Sequence, residues 1–314
     1  MRGARLRERF TFPLYDMATW FPGHMYKGIQ GMQKRIGDMD CIIEVHDARI
    51  PFTGRNPIFD RHAKMRPHIL VLSKVDLVDK KSVHWMQKNP DKLGATEVIL
   101  ADMKRQTLRT SNLLVEKMLE VIDHTDRFHR SRNESYHVLV AGIPNVGKST
   151  LINYLRNTTL KKKGKSAKVG GIPGITKSVM ERIKICEDPK IYLVDTPGVL
   201  TPRIESAEVA LQLAACNTVR SEVLGEELIC DYILYYLNKH GLTRYVEEYG
   251  LDEPIDNIHE VLKAIAKKYD KHLKHRVSGE YQVLPNFQFA AHKMLHDFNR
   301  GLLAEVNFNW EMMS

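Results

Sequence analysis

Gly142-Ile-Pro-Asn-Val-Gly147-Lys148-Ser149 spaces two glycines, a lysine and a hydroxyl as Gly-x-x-x-x-Gly-Lys-Ser. That spacing suits phosphate. An apolar run, Val138–Ala141, leads into it, and Thr150-Leu-Ile-Asn-Tyr-Leu155 continues with helical character. Between a strand and a helix, such a loop turns its backbone N–H groups onto phosphate oxygens, and the helix N-terminus adds its positive end. Asn145, Val146, Gly147, Lys148, Ser149 and Thr150 are therefore the expected cradle. Lys148 would reach the β- and γ-phosphates, and the Ser149 hydroxyl would bind Mg²⁺. Downstream, Ile191–Val194 ends in Asp195-Thr-Pro-Gly198. Asp195 is the expected water-mediated Mg²⁺ ligand, and the Gly198 N–H is expected to face the γ-phosphate. Between them, Gly170-Gly-Ile-Pro-Gly174-Ile-Thr176 carries Thr176, the candidate to close on Mg²⁺. Its glycines predict a loop that changes conformation.

Base choice must come from elsewhere. No Asn-Lys-x-Asp follows residue 198, but Ile69–Leu72 ends in Ser73-Lys74-Val-Asp76. Asp76 can accept two hydrogen bonds from guanine N1–H and N2–H₂, and adenine offers neither donor. Lys74 is expected to lie along the base and brace the phosphate loop. Ser73 stands where asparagine is usual and lacks an amide's paired donor and acceptor, so lower base affinity is expected. A second base loop is expected after Val98–Leu100, at Asp102 and Met103.

Positioning these groups takes a sheet. Cys41–Val45, Ile69–Leu72, Val98–Leu100, Val138–Ala141 and Ile191–Val194 read as buried strands. Ser82–Lys88, Asn112–Ile122 and Ser149–Arg156 read as helices between them. Alternation predicts an α/β, mostly parallel, doubly wound sheet. Val179–Ile185 and Ile191–Val194 predict an antiparallel hairpin at its edge. Beyond about Glu205 the pattern turns helical: Leu228/Ile229, Tyr232/Ile233 and Tyr236/Leu237; Val261/Leu262, Ile265/Ala266 and Tyr269; Met294/Leu295, Phe298 and Leu302. The expected organisation is a basic segment 1–19, a nucleotide domain 20–204 and a small all-α domain 205–314.

A net charge of +9 over 314 residues favours polyanions, either nucleic acid or an anionic membrane. Lys161, Lys162, Lys163, Lys165 and Lys168 crowd the loop before Thr176, and Lys267, Lys268, Lys271, Lys274 and Arg276 form a second stretch. Each is a candidate RNA contact, a solvated face being the alternative. Arg2, Arg5, Arg7 and Arg9 against Glu8 resemble a mitochondrial targeting segment, a plain basic arm being the alternative. No run of 18 apolar residues exists to span a membrane. Cys41, Cys186, Cys216 and Cys230 sit in apolar stretches without a CxxC pair, which suits buried thiols. His292 and His296 lack a third ligand in the sequence and are read as ordinary histidines.

A base motif ahead of the phosphate loop, followed by the threonine and DTPG, is a circular permutation of the Ras-like order. With Trp20-Phe-Pro-Gly-His24-Met25, Cys41-Ile-Ile-Glu-Val-His46-Asp47-Ala-Arg49-Ile-Pro51, Gly54-Arg-Asn-Pro57, Pro173–Thr176 and Asp195–Leu200, the chain resembles the YlqF/RbgA family of circularly permuted GTPases, its mitochondrial branch above all. The resemblance runs from about Trp20 through the C-terminal helices. It implies GTP/GDP and Mg²⁺ as ligands, K⁺ held by Asn145, and His24 orienting the attacking water where Val199 and Leu200 carry no polar group. Lys148 and Thr176 complete the expected catalytic set. It also implies a monomeric assembly factor of the mitochondrial large ribosomal subunit. GTP state would control its docking on rRNA in the matrix; peripheral association of the basic arm with the inner membrane is an alternative reading.

Overall fold

A computed structural model describes residues 6–12, 36–55, 66–105, 107–125, 134–160, 182–195, 204–219, 221, 224–277 and 280–313. His24, Thr176, Gly198, the WFPGHM run and the lysines at 161–168 lie outside these residues. The chain divides into two compact units, one from Asp16–Glu205 and Asn307–Ser314, the other from Met1–Tyr15 and Ser206–Val306.

The first unit is built on a six-stranded sheet in the order β3-β2-β1-β4-β6-β5. Its strands are β1 (Cys41–Asp47), β2 (His68–Ser73), β3 (Glu97–Ala101), β4 (Ser135–Ala141), β5 (Arg182–Glu187) and β6 (Lys190–Asp195). All pairs are parallel except β5 on β6, the edge hairpin expected from the sequence. The chain winds outward from β1 through β2 to β3 on one side and from β4 on the other. A crevice therefore opens at the carboxyl ends of β1 and β4, the usual ligand position in such sheets.

Continuous apolar runs form the strands because a parallel sheet is covered on both faces. Leu70 and Leu72 of β2 enter a core cluster with Met86 of helix α1 (Lys80–Lys88), and alternation sends Ile69 and Val71 to the other face. Asp79 starts α1 by accepting from the N–H groups of Lys81 and Ser82. Helix α2 (Leu108–Asp123) packs with α3 (Lys148–Thr159), and α3 also packs on β5 and β6.

β1 is buried along its whole length although it carries Glu44, His46 and Asp47. The Glu44 carboxylate lies 2.8 Å from His46 Nε2, 2.9 Å from His68 Nε2 and 3.1 Å from Arg55 Nη2. Burial opposes its ionisation, but His46, the hydrogen bonds from His46 and His68, and Arg55 outweigh that and hold the carboxyl well below the ordinary range.

The last residues belong to this unit, not to the helical domain 205–314 read from the sequence. Phe308 N donates to the Arg49 carbonyl at 2.9 Å. Asn309 Oδ1 accepts from Phe52 N at 3.0 Å and Thr53 N at 3.1 Å. Met313 is buried in the cluster with Leu70, Leu72 and Met86.

The second unit contains α4 (Ala207–Ala215), α5 (Glu226–Lys239), α6 (Arg244–Tyr249), α7 (Ile258–Lys268) and α8 (Phe287–Asn299). The expected stripes bury Ile229, Ile233 and Leu237 of α5, Val261, Leu262 and Ile265 of α7, and Met294, Leu295 and Phe298 of α8. Leu302 lies past the end of α8 and is exposed. The unit is not all helix. After α7 the chain forms an antiparallel hairpin of β7 (His272–Val277) and β8 (Glu280–Pro285), within the basic stretch. Residues 6–12 also join this unit. Arg7 donates to Asp231 at 2.7 Å and 3.0 Å and to Asp256 at 2.9 Å, while Phe10 is buried against Tyr232 and Tyr235. Arg7 and Phe10, read from the sequence as part of an address or a loose arm, hold folded structure.

Candidate nucleotide site

The loop after β4 has the backbone that phosphate binding requires. Gly142 has φ +152, and a Cβ there would stand 2.3 Å from the Val45 carbonyl, so no other residue fits. Asn145 (φ 56) and Gly147 (φ +99) are also left-handed, a sequence of turns that aims successive N–H groups inward. Gly147 is the N-cap of α3, which places Lys148, Ser149 and Thr150 in the helix's first turn. Lys148 is buried, and its Nζ donates to the carbonyls of Gly142 at 2.9 Å and Ile143 at 2.8 Å. Burial pushes its pKa down to about 8, against the raising effect of Asp195.

Ser149 Oγ donates to Asp195 Oδ2 at 3.5 Å, so the two Mg²⁺ candidates from α3 and β6 converge. A hydroxyl beside a carboxylate, next to a phosphate loop, is the hard oxygen set that Mg²⁺ takes in part through water. The donor set fits. When bound, Mg²⁺ offsets charge on the phosphates.

The base motif meets the same loop. Ser73 is buried at the end of β2, and its Oγ is within hydrogen-bond reach of the Val146 carbonyl at 2.5 Å and the His46 carbonyl at 2.8 Å. A side chain at Gly147 would meet Met103 Sδ at 3.8 Å and Ser73 Cβ at 3.9 Å. Both base loops thus border the phosphate loop, although 73 residues of sequence separate Ser73 from Val146 and 44 separate Met103 from Gly147.

Three details add to the sequence reading. Lys74, in a left-handed turn (φ 55), braces against Asp47 Oδ2 at 2.9 Å. Asp102 shapes its own loop by accepting from Lys104 N at 3.0 Å and Arg105 N at 3.3 Å, and Met103 is buried. Lys104, which sequence reasoning passed over, places Nζ 2.5 Å from Asp76 Oδ2. Asp47 and Arg49, from the Asp47-Ala-Arg49-Ile-Pro51 motif, pair at 2.7 Å. Asp47 is fully buried, and burial opposes its charge, but Arg49 and Lys74 overcome that and lower its pKa.

Residues 137–273 match the family model described as 50S ribosome-binding GTPase. The chain is 45% identical over 311 residues to Mitochondrial ribosome-associated GTPase 1 of Mus musculus, spanning 98% of this chain and 94% of that one. Ribosome biogenesis GTPase A of Bacillus cereus is 33% identical over 79% of this chain and 81% of its own length. The fold is also similar to that of GNP-bound YlqF from T. maritima, with a TM-score of 0.57 at 21% identity over 90% of this chain and 97% of that chain. With a base motif ahead of its phosphate loop in sequence yet beside it in space, and with relatives that match nearly its whole length, the chain belongs to the YlqF/RbgA family of circularly permuted GTPases, in its mitochondrial branch.

Proposed function

We propose that the protein is a GTP-hydrolysing assembly factor of the mitochondrial large ribosomal subunit, binding rRNA according to its nucleotide state. The observation that carries this reading is the meeting of three loops at the carboxyl end of the sheet: Gly142–Ser149 for phosphate, Ser73–Asp76 for the base, and Asp195 beside Ser149 for Mg²⁺. The names of its relatives supply the ribosome and the mitochondrion.

In this reading Asp76 selects guanine, with Ser73, Lys74, Asp102 and Met103 forming the rest of the base site. Asn145, Val146, Gly147, Lys148, Ser149, Thr150 and Gly198 hold the phosphates. Ser149, Thr176 and Asp195 hold Mg²⁺, and Asn145 holds K⁺, whose charge beside the phosphates stands in for an arginine finger. His24 orients the attacking water. The protein acts as a monomer in the mitochondrial matrix and meets the inner membrane only peripherally. Among the described residues no helix is long and apolar enough to cross a membrane.

The test is GTP turnover in K⁺ and in Na⁺, with and without purified mitochondrial large subunits. Turnover should be slow in Na⁺ alone and rise with K⁺ and with subunits, and His24→Ala should abolish the rise. Equal rates in all four conditions would overturn the reading. Recovery of large-subunit rRNA with the GTP-analogue form and not the GDP form tests the partner separately.

A further inference from the structure

We propose that Asp47 is a positioning residue for guanine-nucleotide binding: its carboxylate, fixed by Arg49, sets the place of Lys74. The inference rests on the reading of Ser73–Asp76 as the base motif.

Asp47 closes β1, beside the crevice where the strand order reverses. It is fully buried and held on one side by three hydrogen bonds. Arg49 donates its backbone N–H and Nε to Oδ1, each at 3.0 Å, and Nη2 to Oδ2 at 2.7 Å. The remaining reach of Oδ2 goes to Lys74 Nζ at 2.9 Å. Arg49 alone balances the carboxylate's charge, so the pair does not need the lysine. Lys74, in contrast, has a side chain only 27% exposed and a strained left-handed backbone, and water would solvate its ammonium without either. Strain kept at a ligand-facing turn is maintained by its surroundings.

Those surroundings join the same two segments twice more. Ala48 N donates to the Ser73 carbonyl at 2.9 Å, and Ser73 Oγ reaches the His46 carbonyl at 2.8 Å. Residues 46–49 and 73–74 therefore form one fixed corner. With its ammonium drawn back onto Asp47, the aliphatic stem of Lys74 is left as the surface along which a base can lie. Two carboxylates then serve the base from opposite sides of the motif: Asp76 chooses it, and Asp47 prepares its seat.

The experiment is a double-mutant cycle in the full-length protein, read as Kd for fluorescent mant-GDP. Asp47→Asn and Lys74→Met should each weaken binding about tenfold, a typical coupling for a close charge pair, and the double variant should bind no more weakly than Lys74→Met alone. A general loss of structure would persist in the Lys74→Met background, so this non-additivity separates positioning from folding. Additive losses, or an unchanged Kd for Asp47→Asn, would overturn the proposal. If Asp47→Asn strands the buried Arg49 and fails to fold, Asp47→Asn with Arg49→Met removes both charges and enters the same cycle. Asp76→Asn tests the base reading independently, since it should shift preference from guanosine to xanthosine diphosphate. Failure of that shift would remove the base reading, whereas failure of the cycle removes only the role of Asp47.

Discussion

The hydroxyl of Ser73 lies 2.5 Å from the carbonyl of Val146, tying the end of β2 to the loop that precedes α3. One hydroxyl proton serves two acceptors there, Val146 and His46. The serine thus braces the phosphate loop from the position where an asparagine is usual. Ser73→Ala should weaken GDP binding about fivefold, the worth of roughly 1 kcal/mol of hydrogen bonding, while the preference for GDP over ADP is unchanged. Equilibrium titrations with both nucleotides check each outcome.

Lys104 pairs with Asp76, the carboxylate proposed to select guanine. The pair is mostly exposed on the lysine side, so its strength is at most about 1 kcal/mol and falls with salt. Lys104→Ala should tighten GDP binding about twofold to fivefold at low ionic strength, with the advantage fading as salt is raised. A series of Kd values across KCl concentrations measures it.

Arg7 and Phe10 make the N-terminal segment part of the helical unit. Arg7→Ala should cost about 2 kcal/mol and lower that unit's melting midpoint by roughly 5–10 °C. N-terminal sequencing of the mature protein from mitochondria should find both residues retained. Hydrogen exchange in α5, which carries Asp231 and Tyr232, reports the loss of the ion pair directly.

Acid should destabilise the sheet unit through Glu44 and Asp47. Both have folded pKa values below their unfolded ones, so each contributes stability that is fully present above about pH 4 and is lost as pH falls below it. Glu44→Gln should lower stability at neutral pH by about 3 kcal/mol, because His46, His68 and Arg55 lose their buried anion. It should also flatten the acid limb. Urea midpoints from about pH 7 down to about pH 2 follow both effects.

Met313→Ala should destabilise the sheet unit by about 3 kcal/mol through the cavity left among Leu70, Leu72 and Met86. Exchange should quicken in β2 and α1 and remain unchanged in α7 and α8.

The strands and the phosphate loop were legible because parallel strands leave continuous apolar runs and Gly142 and Gly147 mark turns that need them. Other features depend on contacts the sequence order hides. Asp47 and Lys74 meet only because β1 and β2 pair in parallel with Asp47 opposite Ser73. Leu273 and Val277 are the only apolar residues of His272–Val277 and sit among His272, Lys274, His275 and Arg276, so its hairpin reads as a solvated surface. Lys104 belongs to no motif, and its use follows from the turn that Asp102 imposes. Asn309 looks like any polar residue near a terminus until Phe52 and Thr53 are seen to donate to it.

That tail has a consequence for how the protein is made. Residues 308, 309 and 313 complete the turn after β1 and the core beneath β2, elements translated more than two hundred residues earlier. Synthesis runs from the N-terminus, so β1 and β2 wait for the Arg49 carbonyl to be paired and for the core beneath Leu70 and Leu72 to be completed until residues 308–313 have been made. Deleting Asn307–Ser314 therefore removes the closing piece of a sheet whose first strands were made long before, and the loss should be felt at the turn after β1.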